Sequence, residues 1–249
     1  MKNLLKTFSS LLLYAAISNT SQGNLLAYFD FEDNLLDKSG NGVHATSWSG
    51  LTYTTSGYSG GAFEFSGSGS FVRIPLDINP SAQPQLTMGA WVRPTSASVI
   101  QTVISHDNGG FDRSLVIDSR GTGSGWAAFT GSGVLGSFAV TPGEWAFVAA
   151  VYDQTAATTR LYVNGSSLTV SASTLGSGHP FVEIGRNPSF NELFQGTIDE
   201  VFIFGSALSD AELDDIRLNG VIIPEPATGA LFLGLGTLFL VALRHRRKA

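Results

Sequence analysis

The sequence predicts an all-β protein, an antiparallel β-sandwich carrying one short helix towards its C-terminal side. Three observations predict it. Apolar and polar residues alternate over short runs. Gly, Asn, Pro and Ser punctuate those runs at intervals of about 8 to 12 residues. One stretch alone carries helix caps. The composition agrees: of 249 residues 43% are hydrophobic and only 14% charged, with 17 Phe, 6 Tyr and 4 Trp. So aromatic a chain is not disordered. The absence of cysteine excludes a disulfide-stapled miniprotein, a thiolate-held zinc or iron–sulfur site, and a thiol nucleophile.

Leu26, Tyr28, Phe29 and Phe31 open the first strand, which ends in the acidic turn Glu32-Asp33-Asn34. A Gly- and Asn-rich loop follows from Asp37 to Gly42. Residues 62–65 and 71–74 are the next strands, separated by a Gly/Ser turn at 66–70. Residues 86–92 alternate cleanly and stop at Pro94, because proline cannot continue a hydrogen-bonded ladder. Shorter strands are expected at 99–105, 114–118, 126–129 and 137–140, and the long apolar run 145–152 as a central one. The strand 159–163 ends at Asn164-Gly165, a pair suited to a type I′ turn whose two central residues need positive φ. Residues 168–171 would return, and 181–184 and 197–204 complete the set. Ser209 and Glu212 then make a capping box, Leu208 and Leu213 a hydrophobic staple, and Asn219-Gly220 a stop. A helix of two to three turns is expected between them, packed on the sandwich.

Both ends lie outside this domain, which is expected to span residues 24–221. Lys2 and Lys6, the apolar run 11–17 and the small polar stretch 18–23 have the order of a secretory signal peptide over 1–23. Ala227 to Leu243 is uncharged and rich in Leu, Phe and Gly, and Arg244, His245, Arg246, Arg247 and Lys248 follow at once. At about 1.5 Å per residue this run reaches roughly 25 Å as a helix. That is a marginal length for a bilayer core of about 30 Å. A transmembrane tail helix, separate from the sandwich, is expected here, with the basic end cytoplasmic and the domain outside. The full chain has 14 basic and 20 acidic residues; without the six Lys and Arg of the ends, residues 24–226 keep 8 basic and 20 acidic groups, net −12. Such a surface repels nucleic-acid backbones, so nucleic acid is not an expected partner.

Catalytic signals are sparse. His44, His106 and His179 fall in separate loops without metal-ligand spacing, and each reads as a solvated loop histidine. Ser105-His106-Asp107 has the residue types of a hydrolase triad, but adjacent residues cannot form that relay. No nucleophile elbow, dinucleotide fingerprint or phosphate-binding lysine loop is present. Among the carboxylates, Asp30 and Glu32 can share a face, whereas Asp199 and Glu200, adjacent in a strand, are expected on opposite faces. A hard cation is the better use of such groups. Asp30, Glu32 and Asp33, with the stretch Asn41-Gly42-Val43-His44, offer carboxylate and carbonyl oxygens from irregular loops of the kind calcium takes.

Four ordered blocks carry a family resemblance over about residues 24–220. They are Leu26-Ala27-Tyr28-Phe29-Asp30-Phe31-Glu32 with Asp37-Lys38-Ser39-Gly40-Asn41-Gly42-Val43-His44-Ala45; Leu86 to Pro94 around Trp91; Trp145 to Asp153 with Arg160-Leu161-Tyr162-Val163-Asn164-Gly165; and Phe194 to Phe204 followed by Ala207-Leu208-Ser209. In this order they resemble laminin-G-like, concanavalin A-like domains. The resemblance implies a two-sheet jelly roll with a structural Ca2+ whose ligands would be Asp30 and Asp199, with Asn41 and the carbonyl of His44 nearby. It also implies glycan or protein binding without chemistry. The Glu-x-Asp-x-x-Glu pattern of the family's enzymes is missing, so no catalytic residue and no enzymatic activity are expected.

The end of the chain resembles a bacterial PEP-CTERM sorting signal over 222–249: Pro224-Glu225-Pro226, an apolar segment and a basic terminus, in that order. The resemblance implies recognition by an exosortase-like enzyme and delivery to the cell envelope, the surface or the exopolysaccharide matrix, at least transiently anchored in the inner membrane. The expected function is therefore that of an exported surface or matrix protein binding carbohydrate or protein. A ligand-free structural component of envelope or biofilm is the alternative, and a glycan-active hydrolase a remoter one. An exposed aromatic platform would favour binding. Trp48, Tyr53, Tyr58 and Trp126 are the aromatics least clearly committed to core strands.

Overall fold

The computed structural model describes residues 23–121, 124–171 and 176–223. The expected signal peptide falls outside these residues, as do Pro224, Glu225 and Pro226 and the expected tail helix. Among the described residues fifteen strands precede one helix. In chain order they are β1 (Leu25–Phe29), β2 (Ser47–Ser49), β3 (Leu51–Thr54), β4 (Ala62–Ser66), β5 (Phe71–Ile74), β6 (Gln85–Pro94), β7 (Gln101–Ser105) and β8 (Ser114–Asp118). After them come β9 (Gly125–Phe129), β10 (Val134–Phe138), β11 (Ala146–Asp153), β12 (Thr158–Val163), β13 (Ser166–Ser171), β14 (Val182–Ile184), β15 (Gln195–Phe204) and α1 (Asp210–Asn219).

Every pairing is antiparallel, and the strands form two sheets stacked as a jelly-roll-like sandwich. One runs β13-β12-β11-β6-β15-β4-β3, with β1 also paired to β15; the other runs β10-β9-β8-β7-β14-β5-β2. Alternate side chains of both sheets fill the space between them, among them Phe29, Phe65, Val92, Ile104, Trp126, Tyr152 and Ile198. Tyr152 joins the layers from within: its hydroxyl donates to the Ser114 carbonyl and accepts from the Ser114 N–H, both at 3.0 Å. Because β1 closes onto β15, the first and last strands of the described chain belong to one core.

Local signals act where the sequence places them. Asn164 and Gly165 have φ of 48° and 91°, as a type I′ turn needs, and the return strand starts immediately, at Ser166. Ser209 caps α1, its hydroxyl accepting from the Glu212 N–H while the Glu212 carboxylate accepts from the Ser209 N–H. Leu208 and Leu213 are both buried against the outer face of the larger sheet, together with Phe147, Phe202 and Ile216. The expectation of a transmembrane helix is corrected. No helix among the described residues is long and apolar enough to cross a membrane. The helix that is described has 10 residues and buries only Leu213 and Ile216.

Two strands were not expected, β2 and β3. They are short and largely polar, Ser-Trp-Ser and Leu-Thr-Tyr-Thr, and carry little of the alternation that marks the others. Each is the edge of a different sheet. The chain passes from one to the other at Gly50, whose φ of 61° favours glycine and whose backbone packs closely against Ser70.

Candidate functional site

Two surface depressions and one polar network hold the side chains of interest. The first depression is an open groove of about 710 Å³ at the sheet edge where β2 meets β3. The acidic turn after β1 forms its other wall, so Asp33, Asn34, Leu35 and Leu36 face Trp48, Ser49 and Leu51 across it. Trp48 is 58% exposed and Leu36 51%. Large apolar side chains exposed on a concave, polar-rimmed surface mark interaction sites. Asn34 is fixed by its own loop, donating to the Glu32 carbonyl at 2.6 Å and accepting from the Leu36 N–H at 3.1 Å.

The second depression is a smaller cleft of about 220 Å³ on the outer face of the larger sheet, at the C-terminal end of α1. Tyr58, Trp91, Phe147, Glu200 and Phe202 line it together with residues 216–221 at the end of α1, Arg217 among them. Tyr58 stacks on Trp91 with ring centroids 3.4 Å apart and planes 10° from parallel. The strand beneath is irregular here. Along one edge β15 is paired through residues 195–198 with β4 and through 201–204 with β1, so Asp199 and Glu200 sit at the junction. The register with β6 also shifts between Asp199 and Phe202, and Glu200 has φ of 53°. This bulge lifts the alternation expected of adjacent strand residues, and both carboxylates meet the 58–59 loop. Asp199 Oδ2 accepts from the N–H groups of Tyr58 and Ser59 at 2.9 and 3.0 Å, while Glu200 lines the cleft beside the same two residues.

Burial dominates the electrostatics of this corner. It pushes the Asp199 carboxyl up to about 7, with the Glu200 charge adding to the rise and the loop N–H groups opposing it. Burial raises Glu200 as well, helped by the charges of Asp30 and Glu32 and opposed by the Tyr28 hydroxyl that donates to it. The Tyr28 phenol is driven up by burial and then by Glu200.

The four residues expected to hold calcium divide between two places. Asp30 and Asp199 both act on Tyr28, so they share the acidic corner. Asn41 and His44 do not reach it through their side chains. Asn41 donates to the carbonyls of Leu25 and Leu26, and His44 Nδ1 accepts from the Asp37 N–H. The loop that carries them is organised by buried Asp37, which accepts from the N–H groups of Tyr28, Ser39 and Val43 and from the Ser39 hydroxyl. Burial pushes Asp37 up, but those donors outweigh it and hold it below the usual carboxylate range. Asp30 is tied to Lys38 at 3.2 Å, and both oxygens of Asp199 are taken by backbone donors. Calcium requires about six to eight oxygens. Among the described residues no three His, Cys, Asp or Glu converge on a metal position.

The remaining candidates are structural. Ser105 shares a 2.7 Å hydrogen bond with Ser114 and accepts from the Asp107 N–H, so Ser105-His106-Asp107 is no relay. His106 is not a solvated loop residue: it is fully buried beside the His179 carbonyl, and burial lowers its pKa to about 4. Of the uncommitted aromatics, Trp126 is core and Tyr53 packs edge-on to Phe63, whereas Trp48 and Tyr58 remain exposed. On the outer face of the smaller sheet, fully buried Glu183 is gripped by Arg73 and Arg186. Their guanidiniums in turn lie 3.9 and 3.7 Å from the Phe181 and Phe71 ring centroids.

Known proteins give this geometry a context. Residues 66–214 match the family model described as the concanavalin A-like lectin/glucanases superfamily. Among solved structures, domain 4 of the extracellular GH43 arabinanase AbnA from Geobacillus stearothermophilus, in complex with arabinotriose, is similar with a TM-score of 0.62 at 22% identity. That match covers 78% of this chain and 98% of that one. The botulinum neurotoxin serotype D binding domain is similar at 0.58 and 15%, covering 78% and 51%. The binding domain of botulinum neurotoxin DC in complex with SialylT is similar at 0.61 and 14%, covering 80% and 51%. The chain thus spans about half the length of the neurotoxin domains it matches. No curated protein sequence matches.

Proposed function

Because the chain belongs to the concanavalin A-like lectin/glucanases superfamily, we propose that it is a non-catalytic carbohydrate-binding protein whose sugar site is the groove at Trp48. The single observation that carries this reading is Trp48 itself, 58% exposed on a concave surface rimmed by Asp33 and Asn34. Sugar rings bind by laying their C–H faces on an aromatic plane while hydroxyls meet nearby polar groups, and the groove offers both in one place. Its volume lies within the range of about 300–1,000 Å³ usual for ligand sites, and its open form suits part of a longer glycan. Two similar structures, solved in complex with arabinotriose and with SialylT, support the class of ligand.

In the same reading the mature domain is residues 24–221, exported by the signal peptide 1–23. An exosortase-like enzyme acting at Pro224-Glu225-Pro226 would sort it to the envelope, the cell surface or the extracellular matrix. Replacing Pro224 and Pro226 with Ala is expected to change its retention in cell fractions; unchanged retention would remove the sorting part of the proposal. The binding part is tested on a glycan array with the 23–223 domain and its Trp48→Ala variant, each in calcium and in EDTA. The expected result is a specific glycan signal reduced at least tenfold by Trp48→Ala. A glycan signal indifferent to Trp48 would overturn the site, and an empty array would favour a ligand-free structural role. Loss of the signal in EDTA alone would give calcium the role that the resemblance implies.

A further inference from the structure

The geometry points to a second binding site, for a compact organic ammonium group, in the cleft formed by Tyr58, Trp91, Phe147, Phe202 and Glu200. It shares no lining residue with the Trp48 groove. Three independent features converge on it. The first is the wall: Tyr58, 45% exposed and stacked on Trp91, offers an aromatic ring of the kind to which cations are drawn, while Phe147 and Phe202 are buried. The second is Glu200, half-buried at this wall with no Lys or Arg of the described residues paired to it; its partner is the Tyr28 hydroxyl, which is neutral. The charged groups acting on it, Asp30 and Glu32, are acidic, as is the adjacent Asp199. Among the described residues the one cation lining the cleft, Arg217, is already committed to Asp214 at 2.8 and 3.1 Å.

The third feature is the backbone. Glu200 holds a left-handed φ at a bulge, a strained conformation for a non-glycine residue that tends to persist where it places a side chain for use. Here it directs a carboxylate to an aromatic wall that regular alternation would have denied it. The size of the cleft, about 220 Å³, falls short of a drug-sized ligand pocket but admits a single headgroup or the end of one side chain. Charge, ring chemistry and volume together select an alkylammonium over a sugar or an anion.

The test is calorimetric titration of the 23–223 domain with choline, with its neutral isostere 3,3-dimethylbutan-1-ol, with N-acetyl-lysine methylamide and with calcium chloride. Choline is expected to bind at least tenfold more tightly than the neutral isostere. Glu200→Gln and, separately, Tyr58→Ala are each expected to weaken choline at least tenfold, while Trp48→Ala leaves it unchanged. Tyr58 is 45% exposed, so its variant keeps the test valid should Glu200→Gln disturb the bulge. Tighter binding of the lysine amide than of choline would identify the natural source as a protein side chain. Equal binding of the isostere, indifference to both variants, or a response to calcium alone would overturn the proposal.

Discussion

Glu183 and Glu200 are both carboxylates withdrawn from water on the outer faces of the sandwich, and the molecule treats them in opposite ways. Glu183 lies between two arginines, each backed by a phenylalanine ring, and Arg73 stands directly opposite it in the β14–β5 ladder. The carboxylate there is fully paired within the chain. Glu200 instead faces Asp30, Glu32 and Asp199, with a tyrosine hydroxyl for company and a bulge beneath it. A paired carboxylate in a regular ladder is part of the scaffold. An unpaired one on a distorted strand, opening into an aromatic cleft, is where the scaffold leaves a place for something else.

Removing each carboxylate should separate these cases most strongly. Glu183→Ala strands two guanidiniums beside each other and is expected to cost about 3 kcal/mol. At roughly 2–4 °C per kcal/mol for a domain of this size, that is a fall in Tm of about 6–12 °C. Glu200→Ala relieves repulsion and is expected to leave Tm unchanged or raise it. Equal losses in thermal melts would erase the distinction between the two sites.

The next effect is a pH dependence in the acidic corner. Asp199 titrates near 7 in the folded protein but near the ordinary carboxylate value when unfolded. Between those values the native state binds the extra proton, so stability is greatest at low pH and falls as pH rises towards 7. The slope from this group is at most about 1.4 kcal/mol per pH unit. His106 works in the other sense, because its folded pKa is depressed and its contribution is lost as pH falls from about 6.5 to 4. Comparing wild type with Asp199→Asn cancels the histidine. The variant's Tm should gain on wild type as pH rises from 5 to 8, and a constant difference would contradict the assignment.

The smallest expected effect on stability belongs to the other depression. Trp48→Ala removes a side chain exposed over more than half its surface. It should therefore change stability by no more than about 0.5 kcal/mol, a Tm shift of one or two degrees. A larger loss would make Trp48 a packing residue and weaken its claim as a platform.

How much of this was legible in the sequence follows from the range of the forces involved. The strand 86–92, the Asn164-Gly165 turn and the Ser209 capping box depend on residues within a few positions of one another, and each is where the local pattern puts it. β2 and β3 are edge strands, held by neighbours far along the chain, and their own polar residues hardly announce them. The bulge at Glu200 arises because β1 and β4 share one edge of β15, a fact of topology invisible at the site itself. Asp30 and Asp199, far apart in the sequence, share a corner only through the pairing of β1 with β15, and Asn41 and His44 sit in a loop organised by Asp37, whose burial no local signal reveals. The burial of His106 likewise depends on the loop around His179.

The central claim is that the Trp48 groove is the carbohydrate site, and the four tryptophan indole N–H resonances of the 15N-labelled protein test it most directly. Titrated with a panel of plant and bacterial oligosaccharides, the Trp48 signal should shift in proportion to occupancy while that of buried Trp126 stays fixed. A sugar that binds and moves Trp91 or Trp145 instead, leaving Trp48 untouched, would contradict the account.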